Sequence, residues 1–301
     1  MKGIIMSSLS AIQHPLSALR ILARLHITGS PDWVGIDAGT VWISNKAKNN
    51  ITRIEAATNE IVAHVPVGRR PCAGLGIGFH SVWVPNCGDA TISRVETTSN
   101  TVIATIPTGI ADSEGSIGVG EGAVWMPTDA NGILSRIDPA TNTIMARIRV
   151  PEASFAAAVG LGAVWATSTT HNLVSRIDAH TNTVVASIPV GPSPRFLAVG
   201  EGAVWVLNQG DGTVSRIDPL SNRVIATIEV GVPGPGGDIA VGESFVGVTA
   251  VGKPFSRIDP HSNRLVAQFV GEGGDALRIG HGSVWLASFF LQEIWRVDPT
   301  I

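Results

Sequence analysis

The sequence has little net charge and no long apolar run. The 301-residue chain contains 21 Lys and Arg residues against 24 Asp and Glu residues, which gives a formal net charge of -3. Because the basic residues are spread along the chain, no basic patch for nucleic acid is predicted. No apolar run approaches the roughly 18 residues that a membrane span needs. We therefore expect neither a nucleic-acid partner nor a membrane partner.

The first 20 residues lack a clear secretion signal. Lys2 is followed by the apolar run GIIM, but Ser7, Ser8 and Gln13 interrupt it. The stretch therefore falls short of the roughly 7 to 15 apolar residues that such a signal needs. We expect residues 1–20 to be a disordered or loosely docked tail on a cytoplasmic protein, with secretion as the alternative.

The chain consists largely of one repeated unit, best represented by residues 198–231. The unit contains four short alternating apolar runs separated by Gly, Asn, Asp or Pro, which is typical of four antiparallel strands. Aligned on a Val-Trp pair, it recurs at intervals of 38–42 residues at Trp42, Trp83, Trp125, Trp165, Trp205, Gly247 and Trp285. A four-stranded unit at this period predicts a β-propeller, and seven copies predict seven blades.

The two ends of the repeat region predict how the ring closes. The last copy contains only its first three strands, whereas the run ILARLHIT, residues 21–28, resembles a fourth strand that precedes the first blade. Placed on the outer edge of the seventh blade, this strand joins the last blade to the first by main-chain hydrogen bonds. We predict an all-β, single-domain propeller over residues 21–301.

Each blade also repeats an Arg in its third strand, an acid two residues later and often an Asn in the following turn, as in Arg216, Asp218 and Asn222. One hypothesis makes these residues a ring of ion sites. The alternative, which we favour, is that Asp and Asn form turns by bonding nearby backbone groups. The Trp residues at their fixed position are expected to pack between blades as core.

Functional residues are expected where the repeats differ, at the channel mouth where the first strands begin. Three carboxylates, Asp32, Asp238 and Asp275, occupy nearly equivalent positions on blades one, six and seven, which are neighbours in a closed ring. Glu114 and Arg195 are expected to face them across the mouth. Clustered carboxylates repel one another and can recruit a cation, and their oxygen atoms suit Mg²⁺ or Ca²⁺. The alternative is that each Asp only caps its strand.

Aromatic and apolar residues concentrate on the same side of the mouth. The predicted ligand-binding residues are Trp33, Phe155, Arg195, Phe196, Phe289 and Phe290. Apolar groups at an exposed loop tip, such as Phe289 and Phe290, indicate a lid or a contact surface. Of the eight histidines, only His171 is expected to face the mouth, where it is either a general base or an exposed bystander.

The chain has two cysteines, and the repeat places them on adjacent strands of blade two. The hairpin register puts Cys72 directly opposite Cys87 at the mouth. Directly opposed residues lie about 4.5 to 5.5 Å apart at Cα, within the reach of a disulfide. In a cytoplasmic protein free thiols are the more common state. A bulge of one residue would separate the pair, so both states remain open.

The repeat AVWV and SRIDPxTNxVxAxIPVG resembles the YVTN-type propeller repeat and, more loosely, the virginiamycin B (streptogramin B) lyase family, from residue 21 onward. That family opens a cyclic depsipeptide at its ester bond by a metal-assisted elimination. The resemblance implies a small-molecule or cyclic-peptide ligand and a lyase or hydrolase using His171, Asp275 and Glu114. The family's Trp-Phe-Thr-Glu strand ending is replaced here by runs such as WISN and WVLN.

Two functions therefore remain open. The first is a monomeric, small-ligand-binding propeller with a divalent-cation-assisted lyase activity, its metal held by Asp32, Asp238 and Asp275, and with no organic cofactor. The second is a non-catalytic scaffold that binds a protein or a peptide.

Overall fold

The computed structural model describes residues 12–300 except residues 113, 232 and 235. Alternating apolar runs separated by turn residues form antiparallel strands throughout this part. Its one helix is the three-residue 3-10 turn Leu16–Ala18, and no helix of the described residues could cross a membrane. The strands form seven sheets, as predicted from the seven repeats.

Each blade contains four antiparallel strands, which follow one another in chain order in blades one to six. Blades one to three consist of β3 (Pro31–Asp37), β4 (Thr40–Asn45), β5 (Asn50–Glu55) and β6 (Ile61–Pro66); β7 (Gly76–Gly78), β8 (Ser81–Asn86), β9 (Thr91–Glu96) and β10 (Thr101–Pro107); and β11 (Gly118–Gly120), β12 (Ala123–Asp129), β13 (Ile133–Asp138) and β14 (Thr143–Arg149). Blades four and five consist of β15 (Ser154–Gly160), β16 (Ala163–Ser168), β17 (Leu173–Asp178) and β18 (Thr183–Pro189); and β19 (Pro194–Gly200), β20 (Ala203–Asn208), β21 (Thr213–Asp218) and β22 (Arg223–Glu229). Blades six and seven contain β23 (Ile239–Gly242), β24 (Phe245–Ala250), β25 (Lys253–Asp259) and β26 (Arg264–Val270); and β27 (Leu277–Gly280), β28 (Ser283–Ser288) and β29 (Glu293–Val297).

The N-terminal strand β2 (Ile21–His26) completes blade seven and confirms the predicted closure. It pairs antiparallel with β29, from Ile21 opposite Val297 to His26 opposite Glu293. The regular strand ends two residues before the predicted residue 28, although Ile27 N–H still donates to the Gln292 carbonyl at 2.8 Å. The first blade is thereby attached to the last by main-chain hydrogen bonds.

A short strand, β1 (Gln13–Pro15), lies on the outer edge of blade six as a fifth strand. It runs parallel to β26, with Gln13 opposite Gln268, and the two side chains share a hydrogen bond of 2.9 Å. Leu19 is buried beside this edge. The sequence did not predict this strand within the expected tail, of which residues 1–11 lie outside the described part.

The recurring Arg residues join neighbouring blades. Arg216, for example, lies 5.0 Å from the Trp205 ring centre and donates to the Pro260 carbonyl and to Asn263 Oδ1 at 2.6 and 2.7 Å. That Asn has a positive φ of 56°, the left-handed conformation that Asn tolerates in turns. The repeated residues therefore form turns and inter-blade contacts, which supports the structural interpretation over a ring of ion sites.

Blade six keeps its core although Gly247 replaces the Trp. A Cβ at Gly247 would lie 2.8 Å from Leu277 Cδ1. Phe245 and Phe255 are fully buried on this blade and pack edge to face with ring centres 6.1 Å apart. The rings replace the missing indole, because they fill the volume from neighbouring strand positions.

Candidate functional site

Three aromatic rings close the central channel near its mouth. Trp33, Phe155 and Phe196 come from blades one, four and five, and Phe196 lies 5.4 Å from each of the other two ring centres. Blades one and five are not neighbours in the ring, so the contact of their rings must cross the channel. All three residues are buried. We call these residues the aromatic floor.

Lys46 lies at the centre of the charged groups at the mouth. Its Nζ is 3.1 Å from Asp32 Oδ2 and 3.6 Å from Glu114 Oε1, and it lies 5.3 Å from the Phe289 ring centre. It thereby joins blades one, three and seven. Lys46 was not predicted from the sequence, although it follows Trp42 by four residues, as Cys87 follows Trp83, at a position where the repeats differ.

Asp32 is 2% exposed, and its burial raises the pKa of its carboxyl from 3.8 to about 7. Lys46 opposes this rise, whereas the negative charges of Asp275 and Glu114 add to it. The contact between Lys46 and Asp32 Oδ2 is an ion pair. Desolvation outweighs the ion pair here, because removing a carboxylate from water is costly.

Asp275 interacts electrostatically with Asp32, as the predicted ring closure requires. Burial is also the main cause that raises the pKa of Asp275, and the nearby Asp238 carboxylate raises it further. The Gly237 N–H donates to Asp275 Oδ1 at 3.3 Å, and Thr249 Oγ1 donates to its backbone carbonyl. These contacts fix the side chain at the mouth.

Glu114 and Arg195 complete the cluster from the opposite side. Burial raises the pKa of Glu114, and Lys46 and Arg195 counteract this rise. The Arg195 guanidinium lies 4.5 Å from the Phe155 ring centre and 5.2 Å from that of Phe196, so it stacks on the aromatic floor. Among the described residues, no carboxylate lies within 4 Å of it; its partner is Gln209 Oε1 at 3.2 Å.

Asp238 lies beside this cluster, but its oxygens are already paired. Its Oδ2 accepts hydrogen bonds from the Arg278 guanidinium at 2.6 Å and from the Leu277 N–H at 3.2 Å. Its Oδ1 accepts from the Ile239 N–H at 2.8 Å. Asp238 therefore anchors the start of blade six to blade seven.

The expected Mg²⁺ or Ca²⁺ ligands do not fit a metal centre in this arrangement. Within residues 12–300 as described, no group of three or more His, Cys, Asp and Glu side chains could hold a metal ion. The reason lies in the partners: Asp32 is paired with Lys46 and Asp238 with Arg278. A hard divalent cation takes six or more oxygen ligands, including unpaired carboxylates. Side-chain cations instead neutralise these two carboxylates.

His171 lies in an exposed turn between β16 and β17. Its Nδ1 is 3.2 Å from both Ser168 Oγ and Thr170 Oγ1. In the described part, no hydrogen bond or ion pair connects its ring to Asp275 or Glu114. The structure thus groups the two predicted catalytic carboxylates but not the predicted histidine.

Two cavities flank the charged cluster. The larger, of about 660 Å³, lies between the loops of blades six and seven. It is lined by Gly236, Gly237, Val251, Gly252, Gly271, Glu272, Gly273, Gly274, Asp275, Ser288, Phe289, Phe290 and Leu291. The smaller, of about 410 Å³, lies between blades four and five and includes Arg195 and Phe155. We call the larger one the glycine-rich cavity.

Cys72 and Cys87 form a disulfide at the mouth of blade two, with their Cα atoms 5.8 Å apart. The predicted direct opposition is wrong, because Pro71 pairs with Asn86 while Gly76 pairs with Trp83. The register therefore shifts by two residues between these pairs. The cysteines are diagonal neighbours, which still lie within disulfide reach. The Trp33 indole N–H donates to the Cys72 carbonyl at 3.0 Å, connecting this hairpin to the aromatic floor.

Comparison with known proteins identifies the fold alone. No family model matches the chain, and no curated protein matches it. A structure of streptogramin B lyase is 18% identical, with a TM-score of 0.78, over 92% of this chain and 96% of that one. Virginiamycin B lyase from Staphylococcus aureus gives 18% identity and 0.78 over 92% and 98%, and hydrazine synthase from Kuenenia stuttgartiensis gives 15% and 0.76 over 90% and 96%. Proteins with different names therefore share this propeller fold.

Proposed function

We propose that this propeller binds a small, partly apolar ligand at the channel mouth and acts on it as a lyase. The observation that supports this most is the position of Asp275. Its partly buried carboxyl lines the glycine-rich cavity and interacts electrostatically with Asp32 and Arg195. A titratable group with a perturbed pKa in a cavity is a candidate for acid–base chemistry.

The proposed reaction is an elimination across a C–O bond next to a carbonyl group. Asp275, as the general base, takes the proton from the carbon between the carbonyl and the C–O carbon. That electron pair forms a C=C bond, and the C–O bond breaks. Glu114 gives a proton to the leaving oxygen, and exchange with water restores both carboxyls. Burial raises the pKa of both carboxyls, which strengthens Asp275 as a proton acceptor and favours retention of a proton on Glu114.

The side-chain cations have a separate role in this proposal. Arg195 carries a permanent charge without a carboxylate partner within 4 Å in the described part. It can stabilise the negative charge that develops on the carbonyl oxygen of the substrate. Lys46 keeps its positive charge, because the neighbouring acids help to raise its pKa against the effect of burial. It is therefore an electrostatic group rather than a proton donor.

The proposal is tested with ester-containing substrates, including a cyclic depsipeptide of the streptogramin B type and linear β-acyloxy carbonyl compounds. Elimination leaves the total mass unchanged and creates an absorbing conjugated C=C bond, whereas hydrolysis adds one water. Asp275→Asn and Glu114→Gln are each expected to reduce the rate by about 100-fold or more. Glu121→Gln, in an exposed turn of the opposite face, is the matched control. Turnover that persists in Asp275→Asn would refute the assignment of the base.

A non-catalytic scaffold is the second candidate, and the exposed rim of the cavity favours it. The Phe290 side chain is 92% exposed and Val251 is 74% exposed. Large apolar groups at a rim suit a protein or peptide partner. In a scaffold, Phe290→Ala should weaken partner binding while Asp275→Asn leaves it unchanged. In an enzyme, Asp275→Asn should abolish turnover even where binding persists.

The disulfide favours an oxidising compartment over the cytoplasm, so we propose secretion as the location. Disulfides persist outside the cell and are rare in reducing compartments. Quantification of free thiols in protein taken directly from its native cells tests this. Two reactive thiols in the folded protein would restore the cytoplasmic prediction.

A further inference from the structure

We infer that the glycine-rich cavity selects a hydrophobic cation: a ligand with an apolar body and a protonated amine. This inference rests on the proposed function and names the substrate class of the same site. It follows from three observations on the lining: its apolar surfaces, the sign of its charges, and the position of the nearby cations.

The volume and lining of the cavity fit the apolar body. At about 660 Å³ the cavity falls within the range of about 300 to 1,000 Å³ typical of small-molecule sites. Phe289 and Phe290 meet edge to face with ring centres 5.3 Å apart. Six lining glycines expose backbone, so a ligand can approach the chain closely. At Gly237 the backbone has a φ of 90°, which favours glycine.

The charges of the lining all have one sign. Among the described residues that line the cavity, the charged ones are Glu272 and Asp275. Glu272 is exposed at the rim, and Asp275 is partly buried. In this part of the chain no cationic side chain lies within 4 Å of either carboxylate. A ligand ammonium would supply the missing positive charge, and the exposed Phe290 ring can also attract a cation, whereas the Phe289 ring already lies beside Lys46.

Neither cation at the mouth lines the glycine-rich cavity, although Lys46 lies 5.3 Å from the ring centre of Phe289, which does. Lys46 is paired with Asp32 and Glu114 at 3.1 and 3.6 Å. Arg195 lines the other cavity and bonds to Gln209. We place the ammonium at the rim near Glu272, where it leaves the Asp275 carboxylate available for proton transfer. An anionic ligand would instead be drawn to Arg195 and to the smaller cavity.

Three probes of similar size and different charge test the inference: 2-phenylethylamine, 2-phenylethanol and 3-phenylpropanoate. Binding to the whole protein is measured by calorimetry at pH 7.5 and low salt, where the amine is protonated. We expect the amine to bind about tenfold more tightly than the alcohol, the effect of one favourable charged contact. Phe289→Ala should weaken both probes, because it removes a surface that they share.

Charge variants identify the source of the preference. Glu272→Gln should reduce the amine preference about threefold, as expected for an exposed carboxylate. The double variant Glu272→Gln with Asp275→Asn should bind amine and alcohol equally, and Glu243→Gln, an exposed acid of the opposite face, should keep the preference. Because these substitutions are isosteric and the alcohol reports on the apolar site, loss of folding would be recognised by loss of alcohol binding.

Two results would overturn the inference and separate it from the proposed function. Equal or tighter binding of 3-phenylpropanoate, sensitive to Arg195→Gln, would show an anion-selective mouth and leave the lyase proposal standing. Absence of binding by all three probes at millimolar concentration would reject the cavity as their site. The lyase proposal would then be decided by its own turnover assay.

Discussion

The strongest prediction concerns how Asp32 affects stability at different pH values, because its carboxyl is almost entirely excluded from water. Burial raises its pKa from 3.8 to about 7. Between these values the folded protein holds a proton that the unfolded chain releases. Stability attributable to Asp32 is therefore full below about pH 4 and is lost as the pH rises to 7. Replacing it by Asn removes this loss.

The size of the effect follows from the two pKa values. One pKa unit corresponds to about 1.4 kcal/mol, so the difference between 3.8 and about 7 corresponds to roughly 4 kcal/mol. Asp32→Asn should be near neutral or slightly destabilising at pH 4. At pH 8 it should be more stable than the parent protein by an amount on the order of 2 to 4 kcal/mol. Lys46 keeps Glu114 as an ion-pair partner in the variant, so its charge is not left isolated.

The assay is urea unfolding of both proteins at pH 4, 6 and 8, since the difference between them isolates the Asp32 contribution from other titrating groups. Asp138→Asn is the control of opposite sign. Hydrogen bonds from the Ala140 backbone lower the pKa of Asp138, so its stabilisation is lost as the pH falls. A stability difference between parent and Asp32→Asn that stays constant from pH 4 to 8 would refute the reasoning, because desolvation would then not dominate this site.

Three further predictions test the remaining features of the mouth. Mg²⁺, Ca²⁺ and EDTA should leave the melting temperature unchanged, because side-chain cations already pair Asp32 and Asp238; a rise with either ion would instead establish a metal site there. Replacing Cys72 and Cys87 by Ser should reduce the free energy of unfolding by about 3 kcal/mol, given a sequence separation of 15. An equal stability of parent and double variant under oxidising conditions would show that the disulfide does not form. Trp33→Ala should reduce the free energy of unfolding by about 3 to 5 kcal/mol in urea unfolding, and a loss below about 1 kcal/mol would mean that the aromatic floor is not packed as described.

The fold followed from the sequence because its signal is repeated. A single Val-Trp pair could mark any buried strand, but its recurrence at 38–42 residues fixes the blade count. The additional fourth-strand run that begins at Ile21 could then be assigned to the last blade, which lacks its own fourth strand. The strand β1 could not be found in this way, because it occurs once and its pairing with Gln268 depends on a distant edge.

The mouth was predicted only in part, since it depends on side-chain partners as well as on register. The positions of Asp32, Glu114, Asp275 and Arg195 follow from counting along the first strands, and the structure brings them together. Counting positions along the strands does not identify the cation that pairs with each carboxylate. Lys46 directly follows β4, and its contact with Glu114 joins blade one to blade three.

Lys46 gives this mouth different properties from those that the expected metal ion would have given it. A divalent ion would bind any carboxylate within reach and polarise a substrate oxygen. Lys46 instead has one charge, fixed between Asp32 and Glu114 and beside the Phe289 ring. Asp275 lines the adjoining cavity, and burial raises its pKa although Lys46 and Arg195 act against this rise; among the described residues it has no ion pair within 4 Å. In the proposed function this carboxyl acts as the base, and in the proposed ligand selection its negative charge favours a cationic ligand in the adjoining cavity.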